Sequence, residues 1–570
     1  MYRIEDIDFQ LSPNSKFALK GGTEVSYQEY YEKKYNRKLK FPDQPLLINL
    51  KRKDGTVIHL VPELCVLTGQ SPEMRLNFQL QKDLATIITP TPNQRLIESQ
   101  KLLEFLKKNE QTKTLINKWN IQLSIDPLKI ESEKLVAGNI LMGKNNQFPL
   151  ENTPGFDQRI QTEMLEQPEI VKIGVFVNKR DAEAGQAFLD TLKECVNTFN
   201  YPMARPKEFY VEGRNFEDWQ YSFKKNLDPT VQAVILLLPG AKKKSPFYDQ
   251  CKHYLLTKCP IPSQVVLVPT ITSGRNLRSI VNKVLIQICA KVGGTPWSVM
   301  NFPFAEKPTM IVGIDVFHQA PLKREYLLSY CGTINRHFSR YWSTVSIHNS
   351  YEDVGFGIQE AVKSSINDFR NANRGIFPVR MIVYRDGVAD SQQKVLKETE
   401  VHGFLRAFED LYREAGMTTK PELIFVCVNK RVNAKFFSGD NLERGTISNP
   451  DPGTVVTDEI TSGNDFYLIS QKSQQGSVTP THYTIIGYYI TINGEYVEVR
   501  GTMHNETFRK LQLLTYKLCF MYYNWSGSIK VPAPAQYASK LSTLIGERWR
   551  PSNPMIPDKA FEKYKSLYFI

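Results

Sequence analysis

Two short apolar runs each carry a carboxylate at or near their end: IVGIDVFH places Asp315, and MIVYRDGVAD places Asp386. Carboxylates on neighbouring strands can hold Mg2+, a hard ion satisfied by oxygen donors. Two such ions clamp the attacking and leaving oxygens of a phosphodiester during in-line displacement, so the pair points to metal-dependent phosphoryl chemistry. Taken alone, an Asp at a strand end is more often a turn former, because its side chain bonds its own backbone. The surrounding elements have to decide between the two readings.

Those elements alternate. Between residues 168 and 300 the apolar runs VKIGVFV, QAVILLLP and SQVVLVP are separated by helical text such as AGQAFLDTLKECVNTF and SIVNKVLIQICAKV. Such alternation predicts an α/β domain on a parallel sheet. A second alternating region, 301–570, begins at TMIVGIDVFH and continues through VRMIVYRDG and ELIFVCVNK. Upstream, residues 1–72 read as a small strand-rich module with one helix at YQEYYEKKYN. Residues 73–167 read as a linker with an amphipathic helix at PNQRLIESQKLLEFLKKN, after the Pro-rich break TPTPN.

The 570 residues exceed what one hydrophobic core organises, which predicts several domains. With 41% hydrophobic and 23% charged residues the chain is of globular and not disordered composition. Seventy-two Lys and Arg against fifty-nine Asp and Glu give a net charge of +13, which favours a polyanionic partner. The eight cysteines lie far apart without CxxC pairs, the pattern of reduced, mostly buried thiols in a cytosolic or nuclear protein. No apolar stretch reaches the roughly 20 residues a bilayer requires, so no membrane association is expected. The run Lys242-Lys243-Lys244 reads as an exposed loop and is too short for an import signal.

The C-terminal text GSVTPTHYTII and LTYKLCFMYYNWSGSIKVPAPAQYASKLS, with NKRVNAKFF and PGTVVTDEIT before it, resembles the PIWI domain of PIWI-clade Argonautes. Upstream, YRIEDIDF, EVSYQEYYEKKYN and LVPELCVLTGQSPEMR look like the second half of a PAZ domain and the start of the linker that follows it. The resemblance implies an α/β multidomain protein: partial β-rich PAZ module (1–72), helical linker (73–167), Rossmann-like MID domain (168–300) and ribonuclease H-like PIWI domain (301–570). The N-terminal domain and the first half of PAZ would lie outside this chain.

In that family an Asp-Glu-Asp-His tetrad holds Mg2+ or Mn2+ and cleaves target RNA. By resemblance Asp315 and Asp386 match the two aspartates as metal ligands, and Glu352, in the loop-like NSYEDVG, matches the glutamate, with Asp353 beside it. The fourth position departs from the pattern. The usual YAHKLA reads Tyr537-Ala538-Ser539-Lys540-Leu541-Ser542, so Ser539 stands where the metal-binding histidine belongs. A serine hydroxyl is a weaker, shorter ligand than imidazole, which predicts impaired cleavage.

FYDQCKHYL, IPSQVVLV and VLIQICAKVGG resemble the family's pocket for a guide 5′ phosphate and place Tyr248, Lys252, Gln264, Gln287 and Lys291 in it. The carboxylate of Ile570 would complete that pocket together with a divalent ion. Aromatic stacking, ammonium charge and amide donors suit the task, although each residue taken singly reads as a solvated polar side chain. Tyr30 and Tyr31 match an aromatic pair at the pocket for the guide 3′ end, or else serve simply as core. The implied function is small-RNA-guided recognition of RNA in gene silencing, with guide RNA, complementary target RNA and silencing effector proteins as partners, in cytoplasm or nucleus. The alternative is an active guide-directed endoribonuclease.

Overall fold

The computed structural model describes residues 4–570 apart from 5, 20–21, 51–56, 67–68, 72–73, 76, 151–154, 241–245, 275, 319–324, 389, 440–446 and 550–565. The lysine run 242–244 lies outside the described residues. The chain divides into two compact units, Met1–Thr89 and Pro90–Ile570.

In the first unit, strand β1 (Asp6–Asp8) is followed by a hairpin of β2 (Lys16–Ala18) and β3 (Glu24–Ser26), which leads into helix α1 (Tyr27–Tyr35). A capping box starts α1: Ser26 Oγ accepts the Glu29 amide at 3.1 Å, and the Glu29 carboxylate accepts the Ser26 amide at 3.3 Å. Asn36 ends the helix in the left-handed region at φ 51°. Strands β4 (Leu46–Leu50) and β5 (Val57–Leu60) complete a three-stranded sheet in the order β1-β4-β5, and helix α2 (Phe78–Ile88) closes the unit.

The second unit opens with α3 (Pro92–Lys108), again started by a capping box, Thr91 with Gln94. An α/β layer follows: β6 (Ile173–Asn178), α4 (Ala182–Thr198), β7 (Lys207–Val211), α5 (Phe216–Asn226), β8 (Ala233–Leu238), α6 (Pro246–Thr257), β9 (Ser263–Leu267) and α7 (Leu277–Lys291). All four strands pair in parallel in the order β7-β6-β8-β9. Every residue of β6 and of β8 is buried, as expected of strands covered by helices on both faces.

The larger sheet is mixed. It is built on β10 (Thr309–His318), β11 (Tyr326–Thr333), β12 (Tyr341–His348), helix α8 (Tyr351–Ala372), β13 (Arg380–Asp386), helix α9 (His402–Glu414), β14 (Glu422–Asn429) and β15 (Thr481–Ile492). Among the described residues it has ten strands, with the central order β12-β11-β10-β13-β14-β15, and β10, β13 and β14 run parallel. The two-residue period of a strand sorts its side chains. Met310, Val312, Met381 and Val383 join the cluster that contains the buried stripe Val354, Ile358, Val362 and Ile366 of α8. Ile311, Ile382 and Tyr384 join the opposite cluster, with Tyr537, Ala538 and Leu541 of α10 (Ala533–Ser542).

Glycine at 313 allows that second packing. A Cβ there would stand 2.0 Å from the Pro534 carbonyl oxygen, so α10 rests on bare β10 backbone. One residue is placed differently from expectation. Glu352 is not in a loop: Ser350 caps α8 by accepting the Asp353 amide at 3.2 Å, and Glu352 and Asp353 lie in its first turn, where the helix dipole favours carboxylates.

Candidate nucleic-acid and metal sites

The same alternation that builds the core delivers the two aspartates. Ile311 and Gly313 face α10, and so does Asp315; Ile382 and Tyr384 face α10, and so does Asp386. Ile314 pairs with Arg385 in the parallel register, so the next position sets Asp315 beside Asp386. Burial pushes the Asp315 carboxyl above the ordinary carboxylate range and Asp386 adds to the rise, while Arg385, the Ser542 hydroxyl and Lys430 pull it down.

Asp386 is 2% exposed. Its Oδ2 accepts the Lys430 ammonium, and its Oδ1 is buried with no hydrogen-bond partner. A buried carboxylate oxygen left without a donor, next to a second carboxylate, is a donor set that fits a divalent cation. Arg385 points to the other face of the sheet. There its guanidinium meets Glu400, fully buried, at 2.8 Å, and Tyr351 donates to the same carboxylate at 2.7 Å.

The remaining tetrad positions, Glu352 and Ser539, lie on helices α8 and α10. Glu352 is exposed on α8, and among the described residues no group of three or more His, Cys, Asp and Glu side chains converges as a metal cluster. Ser539 is half-buried on α10, its carbonyl taken by Thr543 Oγ1 at 2.9 Å. One turn further along, Ser542 is the buried hydroxyl that influences Asp315. Sequence reasoning missed Ser542, Arg385, Glu400 and Lys430. The signal for Lys430 was available: it follows strand β14, immediately beside the strand that ends in Asp386.

The second constellation centres on Ser263, the first residue of β9. Lys252 of α6 is 5% exposed and donates to the Ser263 carbonyl at 2.5 Å and to its hydroxyl at 3.0 Å. Lys291, the last residue of α7, is 1% exposed and donates to the same carbonyl at 2.8 Å and to Gln264 Oε1 at 2.7 Å. Two ammonium groups therefore converge on one oxygen. Burial, reinforced by Lys252, drives the Lys291 ammonium well below its ordinary range. The C-terminal end of α7 offsets part of that cost, because a helix terminus of that polarity favours a cation.

Gln287 and Tyr248 lie on the two helices that carry the lysine pair. Gln287 lies one turn before Lys291 and donates to Asn524 Oδ1 at 3.0 Å; Tyr248 lies one turn before Lys252, half-buried against the α5–α6 core. The C-terminal segment reaches the same helix end: Ser566 Oγ donates to the Lys291 carbonyl at 2.8 Å, and Ile570 packs against the main core. In the first unit, Tyr30 and Tyr31 form an edge-to-face pair 5.5 Å apart, and Tyr35 stands 5.9 Å from Tyr30. Lys34 donates to the Tyr30 hydroxyl at 2.9 Å. Six of the eight cysteines are buried, and among the described residues no helix is long and apolar enough to cross a membrane.

Comparison with known proteins follows the same division of the chain. The Piwi domain family matches residues 233–550, and the PAZ domain family matches residues 1–89. Piwi-like protein 1 of Gallus gallus is 32% identical over 576 residues, covering 98% of this chain and 62% of its own length. Piwi-like protein Ago3 of Bombyx mori is 32% identical, with 98% and 59% covered. The chain thus spans about three fifths of the curated relatives it matches. The crystal structure of Drosophila Piwi superposes with a TM-score of 0.76 at 27% identity, over 100% of this chain and 72% of that one. A Kluyveromyces polysporus Argonaute solved with a guide RNA shares the fold at a TM-score of 0.68 and 18% identity, over 95% and 64%.

Proposed function

The chain belongs to the PIWI-clade Argonautes, and from that premise we propose that it binds a small guide RNA by its 5′ phosphate and recognises target RNA by base pairing to the guide. One observation carries this reading: Lys252 and Lys291, both buried, converge on the carbonyl of Ser263. Buried ammonium groups so placed are costly, and an incoming phosphate would offset that cost through charge-assisted hydrogen bonds. Tyr248 would stack on the first base, and Gln264 and Gln287 would donate to the phosphate or to the Ile570 carboxylate beside it. Sequence specificity would be left to pairing, with the protein gripping the backbone and ends. Tyr30 and Tyr31, with Tyr35, would receive the guide 3′ end. Silencing effector proteins, and a place of action in cytoplasm or nucleus, belong to the same proposal.

The reading is tested by retention of labelled RNA on the purified chain. A 5′-phosphorylated strand should bind more tightly than the same strand with a 5′ hydroxyl, and equal retention would sink the pocket.

A second reading, guide-directed cleavage, draws support from the unpartnered Asp386 Oδ1 beside Asp315. Those two carboxylates would hold Mg2+ or Mn2+, which when bound would polarise the scissile phosphate and activate water. With Ser539 in the fourth position and Glu352 on the exposed turn of α8, binding without cutting is the outcome we favour.

A further inference from the structure

We propose that Lys430 is a resident cation at the carboxylate pair, occupying the coordination space of a divalent ion at Asp386 and competing with that ion for it. The inference rests on the reading that Asp315 and Asp386 take a divalent ion.

The charges around the pair lead to this assignment. Asp386 has two oxygens in an almost dry setting: one is filled by the Lys430 ammonium, and the other has no partner. The guanidinium of Arg385 lowers the Asp315 carboxyl through its charge, but its hydrogen bonds go to Glu400, through Nε at 2.8 Å and Nη2 at 3.0 Å, and to the Asp386 carbonyl. Among the described residues Lys430 is therefore the cation in direct contact with the pair.

Its surroundings hold it there. Lys530 donates to the Lys430 carbonyl at 2.7 Å, and its own ammonium is pushed down to about 8 by burial and by the charges of Lys435 and Lys430. Like charges on one side and carboxylates on the other bias the Lys430 ammonium toward Asp386. Its side chain is 34% exposed against 3% for Asp386, so it has a way out to solvent that the carboxylate lacks. A divalent ion entering the pair must displace it or bind beside a unit positive charge, and either requirement weakens metal binding.

The test is a titration of the full chain with Mn2+, free ion being counted by its electron paramagnetic resonance signal, in native protein, Lys430→Met, Lys430→Gln and Lys430→Met combined with Asp386→Asn. Removing the ammonium should tighten Mn2+ binding about tenfold in both single variants, and Asp386→Asn should abolish the gain. Lys430→Gln keeps a polar end, so a folding defect of the methionine variant leaves a second reading of the same quantity. Equal or weaker Mn2+ binding in the Lys430 variants, with binding still sensitive to Asp386→Asn, would overturn the competition while leaving the metal site intact. Binding left unchanged when Asp386→Asn is added to Lys430→Met would overturn both the metal site and the proposal. Guide retention measured on the same samples separates either result from a failure of the guide-binding reading.

Discussion

Replacing Lys291 with methionine should move stability and guide affinity in opposite senses. Methionine keeps the length of the lysine stem and removes a charge that is 1% exposed and driven far below its ordinary range by burial and by Lys252. Two hydrogen bonds are lost, to the Ser263 carbonyl at 2.8 Å and to Gln264 Oε1 at 2.7 Å, but the Ser263 carbonyl keeps Lys252 as a donor. At about 1 kcal/mol net for each bond, the loss is comparable to the desolvation relieved, so the free protein should change by no more than about 1 kcal/mol and can gain. A bound phosphate, by contrast, loses a charge-assisted bond in a dry site, about 2–3 kcal/mol or roughly 30- to 150-fold in Kd. The assay is competition between 5′-phosphorylated and 5′-hydroxyl guides, alongside urea unfolding without RNA. Discrimination between the two guides should collapse in Lys291→Met with the unfolding midpoint held or raised. Intact discrimination, or an equal loss for both guides, would refute the reasoning.

The same lysine predicts a pH dependence. Because its folded-state pKa is depressed, the unfolded chain holds the extra proton between that value and the ordinary lysine range, so stability of the free protein rises with pH through that interval. A phosphate raises the pKa again, so guide binding should take up a proton there and weaken as pH rises; calorimetry in buffers of different ionisation enthalpy reads the uptake. Gly313→Ala should cost about 2–3 kcal/mol in urea unfolding, because its methyl group would stand 2.0 Å from the Pro534 oxygen and lift α10 from β10; an unchanged midpoint would contradict that packing. Glu400→Gln should cost about 3–5 kcal/mol by leaving the Arg385 guanidinium buried and uncompensated, read the same way. Ser539→His should raise Mg2+-dependent cutting of a paired target above the native level; native cutting abolished by Asp315→Asn would favour the cleavage reading instead.

Much of this fold is legible in the sequence because buried parallel strands read as unbroken apolar runs. VKIGVFV, QAVILLLP and SQVVLVP became β6, β8 and β9, and TMIVGIDVFH and VRMIVYRDG became the strands that carry Asp315 and Asp386. The period of two also fixes the face each aspartate shares with its core neighbours. What the text concealed was context. NSYEDVG reads as loop because its polar residues are also those that cap and open a helix, and Ser350 uses them so. Lys252 and Lys291, read singly as solvated, are almost fully buried, since only the tertiary fold brings α6 and α7 together over Ser263. The position of the proposed pocket is a further departure: ligands of open α/β sheets commonly lie beyond the carboxyl ends of the strands, whereas Ser263 and Gln264 are the first two residues of β9. The counter-ion Lys430 sits 44 residues after Asp386, a partnership only strand order reveals.

The most direct test of the account is capture of a labelled target RNA by the purified full chain, loaded with a 5′-phosphorylated guide that is either complementary or scrambled. Retention of the target only with the complementary guide, and its loss when Lys252 and Lys291 are both replaced by methionine, is the predicted result. Target bound equally with either guide, or without one, would show a basic surface that holds RNA by charge alone and would contradict guided recognition.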